Sequence, residues 1–195
     1  MRLADLKIGL AVTGSHCTLE AVFKEVEKLV QEGATVYPIV SENVAATDTR
    51  FGRSADWLRE LKRITGQEII QSITDAEPIG PQSWLDIILV APCTGNTLAK
   101  LANGITDGPV LMAVKAHLRN QKPVVIAIST NDGLGMNAKN LGLLLNVKNI
   151  YFVPFGQDAP MMKQQSLVAH MDRIKDTLLR AMEGKQLQPL LVEHK

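Results

Sequence analysis

Small hydroxyl and amide residues form a run near the middle of the chain, directly after a strongly apolar stretch. Such side chains at the start of a helix stand beside backbone N–H donors that have no partner within the helix. Together they offer the mixture of donors and acceptors that a planar heterocycle with carbonyls and ring nitrogens requires. Helix capping needs only one such residue, so the run is longer than a cap explains. The candidate binding residues here are Pro92, Cys93, Thr94, Gly95, Asn96 and Thr97.

A second candidate loop follows the first apolar stretch of the chain. Gly14 and Ser15 would let backbone N–H groups and a hydroxyl approach an anion at the start of a helix. The alternative is that Ser15 only caps its own helix. The three spaced glycines of the common dinucleotide-binding fingerprint are absent from this loop, which disfavours a nicotinamide dinucleotide in the standard position.

Polar residues also follow two further apolar stretches. Ser41 could donate a hydrogen bond to a phosphate, although composition alone favours a solvated turn. Ser129 ends another apolar run, and Asn131 comes shortly after it. Asn131 could bind a carboxylate or amide of a substrate, and the alternative is a turn of the Asn/Asp-Gly type.

Two adjacent residues are the candidates for catalysis. His16 could transfer protons near neutral pH. Cys17, like Cys93, comes directly before a predicted helix, whose N-terminus would lower the pKa of a thiol. Ordinary use as a small buried residue is the commoner role of cysteine. The spacing of Cys and His does not match a zinc site, so no metal is predicted.

Hydrophobic periodicity predicts that strands and helices alternate. Apolar runs predict strands at 7–13, 34–40, 84–91, 123–129 and 149–153, and helical spacing predicts helices at 18–32, 55–65, 94–104, 109–120, 134–145 and 163–183. This alternation is typical of an α/β fold. We expect a single domain over residues 1–195 with a doubly wound, Rossmann-like and flavodoxin-like, mostly parallel sheet, helices on both faces, and a loosely held tail at 185–195. Ligands of such folds bind at the carboxyl ends of the strands, where the polar loops lie.

Composition narrows the function classes. The formal net charge is +1, so the chain has no basic field to attract nucleic acid or an anionic membrane. Two cysteines do not make a disulfide framework, and the N-terminal residues become charged before an apolar stretch reaches signal-peptide length. No apolar run approaches the roughly 20 residues of a membrane-spanning helix. We therefore expect a cytoplasmic protein that binds neither nucleic acid nor a membrane.

The polar loops together resemble the flavoprotein family that includes phosphopantothenoylcysteine decarboxylase, the lantibiotic cysteine decarboxylases and the flavin prenyltransferases. The likeness is strongest at 91–97 and continues through Lys100, Ala102, Gly104 and Asp107. It implies an FMN site formed by Gly14, Ser15, Ser41, Pro92, Cys93, Thr94, Gly95, Asn96, Thr97 and Ser129, with Asn131 in contact with the substrate. The flavin phosphate would lie at the loop of Gly14 and Ser15 and at Ser41.

Three further segments are similar to a two-subunit branch of this family. They are the Thr13-Gly14-Ser15-His16-Cys17-Thr18 loop, Arg50-Phe51-Gly52, and the Pro154-Phe155-Gly156-Gln157-Asp158 turn followed by Lys163 and Ser166. In that branch the flavoprotein works with a partner that resembles a nicotinamide-dinucleotide dehydrogenase. The pair oxidises a dihydropyridine dicarboxylate to the aromatic dicarboxylate of bacterial spores. The resemblance implies an oxidoreductase subunit of sporulating cells, NAD(P) on the partner, and homo-oligomers of this chain.

The chain also departs from the family's pattern. The cysteine decarboxylases carry a His shortly before the third strand, whereas residues 77–84 contain none. Thr130 stands where those enzymes have Met, and their cysteine-rich substrate flap is missing. Two alternatives to an oxidoreductase subunit stay open. One is a non-catalytic scaffolding subunit with an empty or vestigial flavin site, and the other is a flavin-dependent decarboxylase, which the missing His disfavours.

A dicarboxylate substrate also requires cations, ideally a bidentate Arg. Arg50 and Arg53 lie on a polar, irregular segment that the binding of a partner could order. We take Arg53 as the second candidate for substrate binding. The sequence leaves open whether the hydride of the substrate passes to the flavin or to the partner's nicotinamide.

Overall fold

The computed structural model describes residues 3–194, which form a seven-stranded sheet with surrounding helices. The strands are β1 (Lys7–Val12), β2 (Thr35–Val40), β3 (Ile87–Cys93), β4 (Val124–Thr130), β5 (Ile150–Phe152), β6 (Phe155–Gly156) and β7 (Leu167–Ala169). The helices are α1 (Leu19–Gln31), α2 (Glu42–Ala46), α3 (Ser54–Thr65), α4 (Ile73–Ala76), α5 (Ile79–Gln82), α6 (Gly95–Ala102), α7 (Pro109–Arg119), α8 (Ala138–Leu145) and α9 (Ile174–Met182). Short 3-10 segments precede α1 and α9.

The first five strands are parallel and set the position of the polar loops. Their order is β2-β1-β3-β4, and β5 pairs with the first part of β4. The register is fixed by pairs such as Lys7 with Thr35 and Ile88 with Val124. Because these strands run in one direction, their carboxyl ends lie along one edge of the sheet. The loops after β1, β2, β3 and β4 therefore converge, as the sequence predicts.

Burial on both faces explains the composition of the strands. Every residue of β3 is buried, since helices cover both sides of a parallel sheet. The amphipathic α1 buries Leu19, Val22, Phe23, Val26 and Leu29 on one face. Helix α1 contacts α9, whereas α6 contacts α7 and α8, so the helices form separate layers. The predicted α/β fold with a mostly parallel sheet is confirmed. No helix within residues 3–194 is long and apolar enough to cross a membrane.

Helix α8 begins four residues later than the sequence predicts. Residues 132–137 form a turn in which the Asp132 carboxylate accepts hydrogen bonds from the Met136 backbone at 3.0 Å and the Asn137 amide at 3.1 Å. Such a side-chain carboxylate competes with helical hydrogen bonding. The segment 41–54, predicted to be irregular, contains the short helix α2.

The prediction of one long helix over residues 163–183 is wrong. Leu167–Ala169 is strand β7, which runs antiparallel to the end of β4 and to β6. Its backbone pairs Leu167 with Thr130 and Val168 with Ser129. Only Ile174–Met182 is α-helical. Pairing with a distant strand outweighs the local helical spacing, because strand formation depends on tertiary neighbours.

Residues 185–194 also differ from the loosely held tail that the sequence predicts. The side-chain carbonyl of Gln186 accepts from the backbone N–H of Phe152 at 2.8 Å, and its amide donates to the Phe152 carbonyl at 2.7 Å. Further along, the backbone of Val192 donates to the Phe155 carbonyl at 3.0 Å. The tail is held because it satisfies backbone groups along β5 and β6.

Replacing Gln186 by Ala tests this attachment. The change removes the protein partners of the buried Phe152 N–H and carbonyl, so the free energy of unfolding should fall by about 1–3 kcal/mol. Urea denaturation measures the difference. Gln188→Ala is the matched control, since its side chain accepts a hydrogen bond from Leu190 within the tail itself. Equal losses in the two variants would contradict a specific role for Gln186.

Candidate functional site

Thr13 ties the end of β1 to the end of β3. Its hydroxyl donates to the carbonyl of Pro92 at 2.7 Å and accepts from the N–H of Thr94 at 3.0 Å. The regular pairing of these strands ends at Ala11 and Val90. Thr13 is 1% exposed, and its backbone N–H also donates to the Pro92 carbonyl at 3.3 Å, so backbone and side chain together extend the contact between the two strand ends. It fixes the loops after β1 and β3 against each other.

Three hydroxyl groups connect the loop after β1 to the end of β4. Ser15 Oγ lies 2.8 Å from Ser129 Oγ. The Thr18 hydroxyl lies within hydrogen-bond distance of both Ser129 Oγ, at 3.1 Å, and the Ser15 carbonyl, at 3.0 Å. Hydroxyl hydrogens rotate, so these groups can turn toward an anion or a carbonyl without movement of the backbone.

Two adjoining clefts open at this edge of the sheet. They have volumes of about 240 and 460 Å³ and share Gly14 and Thr94. We name the smaller one the β2-side cleft; it is also lined by Thr13, Ser41, Glu42, Asn43, Asn96, Thr97, Lys100 and residues 107–111. We name the larger one the β4-side cleft; it is also lined by Ser15, Cys17, Thr18, Gly95, Ser129, Thr130, Asn131, Asp158, Lys163, Ser166 and Val168.

Gly95, which follows the shared residue Thr94, packs closely against the loop after β4. A Cβ at this position would lie 2.5 Å from Thr130 Oγ1 and 2.7 Å from Asn137 Nδ2. Any side chain there would push α6 away from the loop after β4. The Thr94 hydroxyl accepts from the Thr97 N–H at 3.2 Å and so caps α6. The other amides of a first helical turn have no intrahelical partner and can bind a ligand.

Ser41 carries an unused hydrogen-bonding group beside the β2-side cleft. It precedes α2 but its side chain does not cap that helix. Ser41 Oγ is buried and has no hydrogen-bond partner in residues 3–194. An unpaired buried hydroxyl is costly unless a ligand or water satisfies it. This fits an acceptor-rich group, such as the phosphate of a flavin, at that cleft.

Most of the residues predicted to bind a cofactor or substrate line the clefts. Gly14, Ser15, Ser41, Thr94, Gly95, Asn96, Thr97, Ser129 and Asn131 do so. Pro92 does not, but its carbonyl accepts from Thr13 and thereby supports the loop. The structure thus brings the four loops together as the sequence predicts, and their contact with a ligand stays a prediction.

Three of the predicted residues lie elsewhere. Burial raises the pKa of the Cys93 thiol to about 12, and its side chain belongs to the hydrophobic core. His16 is half-buried outside the residues that line the clefts, and burial lowers its pKa. The exposed guanidinium of Arg53 pairs with Asp56 at 2.9 Å, also outside both clefts. Cys17, in contrast, is exposed and lines the β4-side cleft.

Sequence reasoning does not place Asp158, Lys163 and Ser166 among the site residues. All three line the β4-side cleft. The sequence indicates them only through the resemblance of the 154–158 turn, because the predicted helix from residue 163 would direct the chain away from the site. The antiparallel return through β7 carries them there instead.

Comparison with known proteins agrees with this arrangement. The model of the Flavoprotein family matches residues 2–183. The chain belongs to the Flavoprotein family. The resemblance that the loop after β3 indicates is therefore confirmed.

Two relatives match nearly the whole chain. The B subunit of dipicolinate synthase of Bacillus subtilis (strain 168) is 54% identical over 192 residues, which cover 98% of this chain and 96% of that protein. The crystal structure of the same dipicolinate synthase subunit from Bacillus halodurans C is 50% identical, with a TM-score of 0.91 and 99% of each chain covered. The predicted similarity to this two-subunit branch is confirmed.

A more distant structure shares the fold. The FMN binding protein AtHal3 is 19% identical, with a TM-score of 0.66 over 92% of this chain and 98% of that one. At this identity the likeness concerns the Rossmann-like fold alone.

The two thiols should differ in reactivity. We expect a thiol reagent such as 5,5′-dithiobis(2-nitrobenzoate) at pH 8 to modify Cys17 in the native protein and to leave Cys93 unmodified until denaturation, because the thiolate is the reacting species. The measurement is the number of thiols released per chain before and after guanidinium is added. In Cys17→Ser, the control variant, native labelling should disappear. Rapid native labelling of that variant would show that Cys93 is accessible.

Proposed function

We propose that the chain is the flavoprotein-type subunit of a dipicolinate synthase. It binds FMN and takes part, with a dehydrogenase-like partner subunit, in the oxidation of dihydrodipicolinate to dipicolinate during sporulation. The observation that carries this proposal is the 54% identity to the B subunit of the Bacillus subtilis enzyme over 98% of the chain. Such a protein works in the cytoplasm, as a homo-oligomer joined to its partner.

The two adjoining clefts support an extended ligand. A ligand that reaches from Ser41 to Asn131 must cross the shared boundary at Gly14 and Thr94. FMN has this form, with a phosphate at one end and a planar ring at the other. Ser41 Oγ and the loop of Gly14 and Ser15 supply donors for the phosphate. Asn96, Thr97 and Ser129 supply hydroxyl and amide groups for the part of FMN beyond the phosphate.

Aromatisation of the substrate removes one hydride and one proton. FMN, when bound, supplies an acceptor for the hydride, and NAD(P) on the partner is the alternative acceptor. The residues of this chain bind and orient the reacting rings and limit the access of water. Asn131 lines the β4-side cleft and would contact the substrate there. Arg53 lies outside both clefts and would act only in the complex with the partner.

One observation favours a second candidate, a non-catalytic scaffolding subunit. No histidine is among the described residues that line the two clefts. The usual proton-transfer group of the decarboxylases is therefore not provided by these surfaces. The two candidates differ in whether FMN binds.

Added FMN should raise the melting temperature of the protein. A ligand at a hundredfold excess over its dissociation constant stabilises the native state by roughly 2.7 kcal/mol. Differential scanning fluorimetry measures the shift. Asn96→Ala should reduce it, because Asn96 lines the cleft, whereas the exposed Asn146 at the end of α8 offers Asn146→Ala as the control. If saturating FMN leaves the wild-type melting temperature unchanged, the flavin proposal fails and the scaffold is favoured.

The isolated chain should form no dipicolinate, and activity should appear on addition of the dehydrogenase-like partner. Arg53→Ala should lower the rate of the reconstituted pair about tenfold or more, as expected for loss of a charged hydrogen bond, without weakening FMN binding. Arg59→Ala is the matched control, because Arg59 also pairs with Asp56 from the exposed face of α3. The assay follows dipicolinate formation. Turnover by the isolated chain with flavin and an oxidant would contradict the shared site.

A further inference from the structure

The β4-side cleft contains a charged cluster that the proposed flavin site does not use. Its members are Asp158, Lys163 and Ser166, and we call it the Lys163 cluster. Lys163 is the only cation and Asp158 the only carboxylate among the described residues that line this cleft. They line the same cleft as the hydroxyl groups of Ser15 and Ser129.

The connection between β6 and β7 holds this cluster in place. The side chain of Gln157 donates to the Gln164 carbonyl at 2.8 Å and closes the loop across its base. The carbonyl of Gln165 accepts from the Leu134 N–H at 2.9 Å, which anchors the loop to the segment after β4. The cluster is therefore fixed relative to the residues at the end of β4.

Two polar atoms of the cluster lack partners. Ser166 is 1% exposed, and neither its Oγ nor Asp158 Oδ1 has a hydrogen-bond partner of ordinary geometry within residues 3–194. The Ser166 hydroxyl is still near enough to stabilise the charge of Asp158. Burial acts to raise the pKa of Asp158, but the Ser166 hydroxyl and Lys163 outweigh it, so the pKa lies below its ordinary value. Asp158 is thus an ionised acceptor with one unused oxygen.

The ammonium group of Lys163 has N–H donors that Asp158 does not use. Its ammonium group donates to Asp158 Oδ2 at 3.0 Å, and two of its three hydrogens remain for another acceptor. The Ser166 hydroxyl, which stabilises Asp158 without a hydrogen bond of ordinary geometry, can rotate and become a further donor to a ligand. Two donors next to an unused carboxylate oxygen match a ligand that presents a carboxylate beside an N–H group.

We infer that the Lys163 cluster binds a small ring carboxylate whose ring N–H lies beside the carboxylate. Lys163 and Ser166 donate to the carboxylate, and Asp158 Oδ1 accepts from the N–H. This inference rests on the proposed function and extends it, since a partly reduced pyridine dicarboxylate in its N–H form has both groups. The aromatic product has a ring nitrogen that accepts hydrogen bonds, so the cluster favours substrate over product.

The experiment uses three stable ring dicarboxylates on the FMN-supplemented full chain. They are piperidine-2,6-dicarboxylate, which has the N–H; cyclohexane-1,3-dicarboxylate, which lacks nitrogen; and pyridine-2,6-dicarboxylate. Isothermal titration calorimetry should give the lowest dissociation constant for the piperidine compound. Failure of wild type to bind it, or tighter binding of the cyclohexane compound, overturns the inference.

Three variants test the individual contacts. Lys163→Gln and Ser166→Ala should each raise the dissociation constant of the piperidine compound about tenfold or more, as loss of a hydrogen bond to a charged group requires. Asp158→Asn should bring the piperidine and cyclohexane compounds to similar affinities. Lys148→Gln, at an exposed lysine outside both clefts, is the control and should bind as wild type does. Unchanged affinities in all three cluster variants overturn the inference.

Thermal stability separates ligand binding from a structural role. Ser166→Ala removes a buried hydroxyl that makes no hydrogen bond of ordinary geometry, so its melting temperature without ligand should lie close to that of wild type. A clear fall would mean that the hydroxyl is structural and would overturn its assignment. Loss of dicarboxylate binding with FMN binding retained overturns this inference alone. If FMN does not bind but the three dicarboxylates keep the expected order of affinities, only the flavin part of the proposed function is overturned.

Discussion

The buried hydroxyl of Thr13 is the contact on which the site depends. It donates to the Pro92 carbonyl and accepts from the Thr94 N–H just beyond the last register pair of β1 and β3. Both clefts share Gly14, which follows Thr13 in the chain, and Thr94, whose N–H donates to the Thr13 hydroxyl. A shift of one loop relative to the other would therefore change both clefts together. Thr13, through its hydroxyl and its backbone N–H, thus holds the two clefts in a fixed position relative to each other.

Side-chain hydroxyls also connect the loop after β1 to the end of β4, which pairs with β7. Ser15 and Thr18 reach Ser129 through their hydroxyls, and Ser129 pairs with Val168 in the antiparallel addition to the sheet. The hydrogen-bonded path therefore runs from β1 through β4 to the loop that carries Lys163. Parallel strands position the flavin-type loops, and the antiparallel return brings charged groups to the same place. The β4-side cleft combines hydroxyl groups with the Lys163–Asp158 ion pair, and the β2-side cleft contains a second ion pair between Lys100 and Asp107.

Local pattern predicts the sheet well because its strands are long apolar runs, and it predicts the meeting of the loops because parallel strands end along one edge. It fails where pairing with a strand far along the chain determines the local structure. Leu167 has helical spacing with its neighbours, yet pairs with β4, and this error hides the position of Lys163. The strand predicted at 84–91 continues in the structure through Pro92 to Cys93, whose thiol belongs to the hydrophobic core. A strand buried on both faces has no alternation of apolar and polar residues, so its sequence does not show which side chains face a ligand.

The contact between Gln186 and β5 has a consequence for association between molecules. A strand at the border of a sheet presents free N–H and carbonyl groups that can recruit a strand from another chain and start aggregation. At Phe152 the side-chain amide of Gln186 pairs with both the backbone N–H and the carbonyl. At the opposite border the backbone of Ile70 donates to the Pro38 carbonyl and accepts from the Val40 N–H. Short polar and bridging segments thus close both borders of the parallel sheet. At these positions the sheet offers no free backbone groups to a strand of another molecule.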